Sequence, residues 1–183
     1  MLFYKEKELR TFIEGLSENY EAAFDKIARL ISQDLINVSY HYVANYEDAK
    51  DVSQEVLLKL YKKLRSFHHA SKVSTWMYRI VVNACIDFLR KKKKTVSLEE
   101  TITKDEKDTD TMIEQMEKKD TQERIKKGLE KLPLRQRNVI ILKHFEGLKI
   151  SEIGKILGCS QSSVKTHLYR AIENLRKELG GVR

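Results

Sequence analysis

The sequence predicts an all-α protein with two helical domains joined by a flexible acidic linker. Three observations lead to this prediction. The chain of 183 residues contains one Pro and seven Gly, which is little turn chemistry for a β-sandwich or barrel. Apolar residues recur at helical spacing on both sides of an acidic middle stretch. Hydrophobic residues make up 41% of the chain, enough for packed cores and too many for wholesale disorder.

The first block, residues 1–94, is predicted to form one compact helical bundle, because three apolar stripes each need a partner. Asp48 is expected to open the second helix. Ser74 is expected to cap a third helix that runs from about Thr75 to Lys92. The stripes are Tyr20, Phe24, Ile27, Ile31 and Leu35, then Ala49, Val52, Val56, Leu60 and Leu64, then Met77, Ile80, Val81, Ala84 and Phe88.

The middle stretch, residues 95–121, is predicted to be a linker. It holds 4 basic and 9 acidic side chains, a net −5. Few large apolar residues and no steady period occur before Met112, which is typical of a mobile tether. A short helix near Met112–Lys127 is the one element expected there.

The last block, residues 122–183, shows the pattern of a helix-turn-helix domain. Gly147 closes one helix, Gly158 ends a short helix, and Ser160 can cap the last one. Gly154 leaves room for the two final helices to cross closely. Two helices joined by a tight glycine turn are typical of DNA-binding domains, although a plain structural hairpin has the same pattern. The apolar stripe of the last helix is Val164, Leu168, Ala171, Ile172 and Leu175.

The charge and composition of the chain favour some classes of protein and exclude others. The net charge is +8 and the isoelectric point about 9.3, a balance that suits a polyanionic partner. No apolar run reaches the roughly 18 residues of a membrane span, and the charged N-terminus lacks the core of a signal peptide. Cys85 and Cys159 are too few for a disulfide scaffold or a zinc site. We therefore expect a cytoplasmic protein with two reduced thiols.

Three motifs, taken in order, resemble those of bacterial sigma factors. The segment DAKDVSQE at 48–55 is similar to their core-binding helix, and STWMYRIVVN at 74–83 to their promoter-melting helix. Leu132-Pro133, Gly147-Leu148, EIG at 152–154 and VKTHLYRA at 164–171 are similar to their C-terminal domain. The order and spacing match the extracytoplasmic-function (ECF) group, which keeps only sigma regions 2 and 4. The resemblance implies region 2 at 1–94, a linker at 95–121 and region 4 at 122–183.

The resemblance also implies a function without catalysis and without a cofactor. Such a protein joins core RNA polymerase through the clamp helices of the largest subunit and through the flap, directs the enzyme to promoter DNA, and helps to melt it. It takes no small-molecule substrate. Members of the group are commonly held inactive by an anti-sigma factor, often a membrane-bound one.

The second predicted helix is the candidate polymerase-binding element. Carboxylates and an amide beside an exposed leucine suit a basic helical partner. The residues expected to bind core polymerase are Asp48, Asp51, Gln54, Glu55 and Leu58. Two other interpretations of this face are a solvated acidic surface and a Mg²⁺ site on Asp48, Asp51 and Glu55, as in helical nucleotide hydrolases.

The third predicted helix and the loop before it are the candidate −10 element reader. Asn83 can both donate and accept hydrogen bonds, which suits the polar edge of a flipped base, while lysines hold phosphates. The residues expected at −10 DNA are Phe67, His68, His69, Ser74, Trp76, Arg79, Asn83, Arg90 and Lys91. Core packing is an alternative role for Trp76, and metal binding for the histidine pair. His68-His69-Ala70 and Val73 depart from the family's usual residues, a Gly with an acidic residue and a Phe.

The last helix is the candidate −35 element reader, because the N-terminal part of such a helix enters the major groove. The residues expected at −35 DNA are Gln161, Ser162, Ser163, Lys165, Thr166, His167 and Arg170. Lys165 and His167 stand where many family members carry Arg. The acidic linker segment from Asp105 to Asp120 is expected to thread a basic channel of the polymerase, with a solubilising tether as the alternative.

Three functions therefore compete. The first is a promoter-specificity subunit that gains promoter binding with core polymerase. The second is a stand-alone helix-turn-helix regulator that binds operator duplex without polymerase. The third is a helical nucleotide hydrolase that uses the Asp48, Asp51 and Glu55 face, for which the sequence offers no nucleophile–base pair and no phosphate loop.

Overall fold

The computed structural model describes residues 5–14, 19–67, 72–98 and 123–179, and for 94–98 only the backbone. Every regular element in these ranges is helical, so the all-α prediction is confirmed. Most of the predicted linker, and with it the segment from Asp105 to Asp120, lies outside them. The helices are α1 (Glu6–Glu14), α2 (Tyr20–Val43), α3 (Tyr46–Leu64), α4 (Val73–Leu98), α5 (123–131), α6 (Leu134–Ile140), α7 (Ile150–Leu157) and α8 (Gln161–Glu178).

The predicted stripes of α2 and α3 face each other in the bundle core. Ile27, Ile31 and Leu35 on α2 are fully buried, as are Val56 and Leu60 on α3. Burial of such side chains stabilises the fold by about 1.5–3 kcal/mol each. These stripes therefore hold the bundle together.

The start of α3 lies two residues earlier than predicted. Asn45, not Asp48, is the N-cap, and its side-chain oxygen accepts the backbone N–H of Asp48 at 3.0 Å. Asparagine is among the best N-cap residues, because its side chain satisfies an N–H that the helix leaves without a partner. Asp48 thus lies in the first turn, where a carboxylate interacts favourably with the helix dipole.

The N-terminal residues, to which the sequence assigns no element, form part of the bundle. Leu9 and Ile13 of α1 are buried in its core. Lys5 fixes the beginning of this helix to α2, since its Nζ donates to the Leu30 carbonyl at 2.6 Å and lies 3.0 Å from Asp34 Oδ2. The position of α1 against α2 is therefore set by both apolar and ionic contacts.

Helix α4 begins at Val73 and extends to Leu98, beyond both predicted ends. Ser74 is not its cap, because Ser74 lies inside the helix and is itself a donor. Its hydroxyl and its backbone N–H both donate to Glu6 Oε2, at 2.5 and 2.9 Å. The first turn of α4 is thus capped by a side chain of α1.

The C-terminal helices follow the predicted glycine pattern. α6 continues through a π-helical turn, Ile141–Phe145, before Gly147 adopts a φ of +67°. Gly158 ends α7 in the left-handed conformation, and Ser160 caps α8 by accepting the Ser163 N–H at 3.1 Å, as predicted. A Cβ at Gly154 would lie 2.8 Å from the Cys159 carbonyl oxygen. Only glycine at 154 therefore permits so tight a turn between α7 and α8.

The two blocks share one continuous core. Leu142, Ile153 and Val164 from the C-terminal helices join the buried cluster that includes Met77 and Val81 of α4. A second, smaller cluster, formed by Leu129, Leu132, Ile140 and Ala171, lies within the C-terminal block. The C-terminal helices thus pack on the first bundle. No helix in the described part of the chain is long and apolar enough to cross a membrane.

Candidate functional site

The outer face of α3 carries three of the predicted polymerase-binding residues at the surface. Asp51, Gln54 and Leu58 are exposed at helical steps of three and four, opposite the buried stripe. The Leu58 side chain is 62% exposed, although exposing a leucine forgoes the free energy of its burial. We call Asp51, Gln54 and Leu58 the α3 face.

The other two predicted residues of α3 are held by lysines of the same chain. Asp48 Oδ2 lies 2.6 Å from Nζ of Lys92, which ties α3 to α4. Glu55 Oε1 lies 2.6 Å from Nζ of Lys59, one turn along α3. Both carboxylates are partly exposed, so these pairs are screened and contribute little to stability.

An aromatic cluster beside the α3 face was missed by the sequence reasoning. The Tyr61 ring packs edge-on against the rings of Tyr20 and Phe24, with centroid distances of 5.1 and 5.0 Å. Tyr61 stands three residues after Leu58 and is 38% exposed. The spacing of Leu58 and Tyr61 was available in the sequence, but the contact with α2 was not.

The outer face of α4 carries Asn83, which is exposed, and Arg79, which is hydrogen-bonded to the C-terminal block. Nε and Nη2 of Arg79 donate to the Lys155 carbonyl oxygen of α7, at 2.9 and 2.6 Å. Both central residues of the predicted −10 surface are therefore exposed, and the Arg79 guanidinium is also hydrogen-bonded to α7.

The first turn of α4 is less accessible than the sequence suggested. Ser74 is completely buried, so in this conformation it offers DNA no surface. The Trp76 ring is half-buried and lies 5.1 Å from the Phe67 ring, centroid to centroid. His68 and His69 lie outside the described residues.

The basic stretch of α4 at residues 90–93 is exposed. Arg90 lies 3.9 Å from Asp87 Oδ1, a long contact between exposed groups, and Lys91 and Lys93 are exposed. Lys92 is exposed as well, and its Nζ lies 2.6 Å from Asp48 Oδ2. Such a row of cations suits the phosphate backbone and carries no base information.

The first three turns of α8 carry an exposed polar face. Gln161, Ser162, Lys165, Thr166 and Arg170 are exposed, whereas Val164 is buried and inward. The remaining residues predicted at −35 DNA are only half-exposed: these are Ser163 and His167. Tyr169, which the sequence reasoning did not select, is 68% exposed beside Lys165 and Thr166.

Buried polar contacts join the two blocks. The Tyr78 hydroxyl of α4 donates to Glu146 Oε2 at 2.7 Å, and Nη2 of Arg137 donates to the Tyr42 carbonyl. Burial raises the pKa of Glu146, although the Tyr78 hydrogen bond opposes that effect. Burial lowers the pKa of Arg137. Polar groups buried in this way depend on their partners, so the two blocks are held together specifically.

No group of three or more potential metal ligands occurs among the residues that the structure describes. Asp48 and Glu55 instead face Lys92 and Lys59. The structure thus gives no support to the Mg²⁺ interpretation of α3.

Comparison with known families identifies both blocks. Residues 28–95 match the Sigma-70 region 2 family, and residues 122–175 match the Sigma-70, region 4 family. Helix α1 lies before the first matched range. The predicted linker lies almost entirely between the two.

Individual relatives match most of the chain. RNA polymerase sigma factor SigV of Bacillus subtilis is 37% identical over 148 residues, which are 80% of this chain and 85% of SigV. ECF RNA polymerase sigma factor SigW of the same organism is 31% identical over 186 residues, covering 95% of this chain and 98% of SigW.

Two solved structures share the fold. CnrH, in complex with the cytosolic domain of CnrY, matches with a TM-score of 0.70 at 20% identity, over 95% of this chain and 98% of CnrH. The sigma factor RpoE of Bartonella quintana, in complex with the anti-sigma factor NepR, matches with a TM-score of 0.66 at 24% identity, over 87% of this chain and 98% of RpoE.

Proposed function

The chain belongs to the ECF group of RNA polymerase sigma factors, and we propose that it recognises promoters through three separate surfaces on α3, α4 and α8. Sigma factors direct the polymerase in promoter recognition and are not enzymes, so RNA synthesis is the polymerase's own reaction. The observation that supports the proposal most strongly is that each surface projects polar residues from a helix whose opposite face is buried in the core.

The α3 face is the proposed docking site for core polymerase. Asp51 and Gln54 supply a carboxylate and an amide, and Leu58 an exposed apolar group. A partner that covers Leu58 gains the free energy of burying this side chain, which is exposed in the free chain. A basic partner surface would complement the Asp51 carboxylate. Asp48 and Glu55 join this surface once their lysines turn away. The clamp helices of the largest subunit are the proposed partner, and the flap is the proposed partner of the C-terminal block.

The α4 surface is the proposed reader of the −10 element. Asn83 is exposed and can pair with the edge of a flipped base. Arg79 is exposed as well, but its Nε and Nη2 donors become available to DNA only after they leave the Lys155 carbonyl of α7. Lys91 and Arg90 are proposed to hold phosphates next to it.

The α8 surface is the proposed reader of the −35 element. Lys165, Thr166 and Arg170 lie exposed at the part of α8 that would enter a major groove. Tyr169 is added to the predicted set because of its exposure. Gln161 and Ser162 at the helix start are proposed to contact the same groove, with Ser163 and His167 at its edge.

We further propose that an anti-sigma factor binds this protein in the cytoplasm. RpoE of Bartonella quintana, which shares the fold, was solved with an anti-sigma factor, and CnrH with the cytosolic domain of CnrY. An anti-sigma factor that covers the α3 face would exclude polymerase, because both would bury Leu58.

Changing Asn83 to alanine tests the −10 proposal. Because an alanine side chain offers no polar group to the base, we expect Asn83→Ala to lower discrimination among −10 bases by about 1–3 kcal/mol. Recognition of −35 bases should stay unchanged. The measurement is run-off transcription by holoenzyme on promoters with single-base changes.

Asn37→Ala is the matched control, since Asn37 is exposed on α2 and far from α4 in sequence. It should leave both preferences intact. If the Asn83→Ala holoenzyme transcribed each −10 variant as well as the wild-type holoenzyme does, the assignment of Asn83 would be disproved.

A further inference from the structure

Glu6 of α1 makes a set of contacts for which neither family match accounts, because both matched ranges lie beyond α1. Its Oε1 accepts the Val73 N–H at 2.9 Å. Its Oε2 accepts the Ser74 N–H at 2.9 Å and the Ser74 hydroxyl at 2.5 Å. One carboxylate thus holds the first turn of a helix 67 residues further along the chain.

This cap is supplied from a distance because the local residue cannot supply it. Lys72 precedes α4, and its ammonium group has donors but no acceptor. The first N–H groups of any helix need partners from outside the helix. Glu6 is therefore the partner that α4 has in place of a local cap.

The charge of Glu6 favours this contact. Burial alone would raise the pKa of the Glu6 carboxyl, but the hydrogen bonds from Ser74 and Val73 outweigh burial, and the pKa lies below its ordinary value. Carboxylates are stabilised near helix N-termini. Glu6 is thus ionised at neutral pH and accepts all three hydrogen bonds from α4, together with one from Arg10 Nε at 3.2 Å.

The backbone of Glu6 is itself fixed. Lys5 is anchored to Leu30 and Asp34 of α2, and Leu9 and Ile13 are buried in the core. The carboxylate therefore fixes the first turn of α4 relative to α2. That turn directly precedes Trp76, which packs on Phe67, and both aromatic residues belong to the predicted −10 surface.

We propose that Glu6 is a positioning residue for −10 recognition. By its hydrogen bonds to Val73 and Ser74 it fixes the position of the first turn of α4, where the −10 surface of this helix begins. The inference rests on the proposed role of α4 and adds α1 to the promoter-reading machinery. Glu6 itself need not touch DNA.

The test separates positioning from simple capping by means of a local replacement cap. Glu6→Ala removes the contact. Adding Lys72→Ser restores a cap from the position that serine favours, but does not restore the link to α1. Lys72→Ser alone is measured as well, because Lys72 also lies 3.5 Å from Glu152. Glu8→Ala is the matched control, since Glu8 is an exposed carboxylate on the same helix.

Two quantities are measured for each variant: discrimination among −10 bases by the holoenzyme, on a promoter selected from a randomised library, and the urea midpoint of the free chain. We expect Glu6→Ala to lower discrimination by up to roughly fivefold, because the contacts by which Glu6 holds the first turn in place are worth about 1 kcal/mol, like those of a helix cap. In the double variant, which combines Glu6→Ala with Lys72→Ser, the urea midpoint should recover. Its discrimination among −10 bases should stay below that of the Lys72→Ser single variant. Glu8→Ala should match the wild type in both.

Recovery of discrimination together with stability in the double variant would overturn the proposal, because Glu6 would then be only a cap. An equal loss in Glu8→Ala, or no loss in a folded Glu6→Ala, would also overturn it. If Glu6→Ala fails to fold, the double variant decides. A wild-type holoenzyme without any −10 preference would instead contradict the proposed function of α4.

Discussion

Changing Leu58 to aspartate is expected to weaken binding to core polymerase by about 2 kcal/mol or more, the range of an interface hot spot. Leu58 is the most exposed large apolar side chain of α3 and stands between the carboxylate of Asp51 and the ring of Tyr61. An aspartate in its place would lose the burial of the leucine side chain and would put a charge where an apolar contact is expected. The dissociation constant of labelled chain and purified core polymerase measures the effect.

Stability of the free chain should hardly change, since the Leu58 side chain is already largely in solvent. Tyr46→Asp is the matched control, because Tyr46 is 51% exposed on the same helix but on another face. It should bind core polymerase as the wild type does. If the two variants bound equally well, or were equally impaired, the α3 face would not be the docking site.

Changing Arg170 to alanine is expected to cost about 1–3 kcal/mol of promoter affinity if Arg170 reads a base. The loss should be confined to one position of the −35 element, where specificity should relax. Lys165→Ala should weaken all sequences alike if Lys165 contacts phosphate, and should lower the slope of log affinity against log salt by about one. Holoenzyme affinity for −35 variants over a range of salt concentrations measures both effects.

Arg176→Ala provides the control for Arg170. Arg176 lies on the same helix, beyond the proposed groove-facing part, and pairs with Glu173 at 3.1 Å. It should leave the base preference unchanged. A uniform loss across all −35 sequences in Arg170→Ala would mean that Arg170 binds phosphate and that another residue reads the base.

Features set by neighbouring residues could be predicted from the sequence. The stripes of α2 and α3 follow from the helical period, and the Gly158 turn with its Ser160 cap follows from backbone freedom and a hydroxyl at the right place. The exposed set on α8 follows in the same way, as the face opposite Val164 and Ala171.

Features that depend on distant parts of the chain could not be predicted. Ser74 is of a residue type that commonly caps helices, and only the position of α1 shows that Glu6 caps α4 instead. Arg79 and Asn83 share an exposed face of α4, but only the packing of α7 on α4 shows that the Arg79 guanidinium is hydrogen-bonded to the Lys155 carbonyl. The buried pair of Tyr78 and Glu146 likewise joins residues 68 positions apart.

Promoter binding with and without core polymerase tests the central claim most directly. The fragment is selected by holoenzyme from a randomised library, and a sequence-scrambled fragment serves as reference. We expect the isolated chain to bind both duplexes weakly, because the Arg79 guanidinium is hydrogen-bonded to α7 and the α8 surface alone offers one short helix to the groove. With core polymerase, the selected fragment should be bound and transcribed in preference to the scrambled one. Strong sequence-specific binding by the chain alone, unchanged by polymerase, would contradict the claim and would fit a stand-alone regulator.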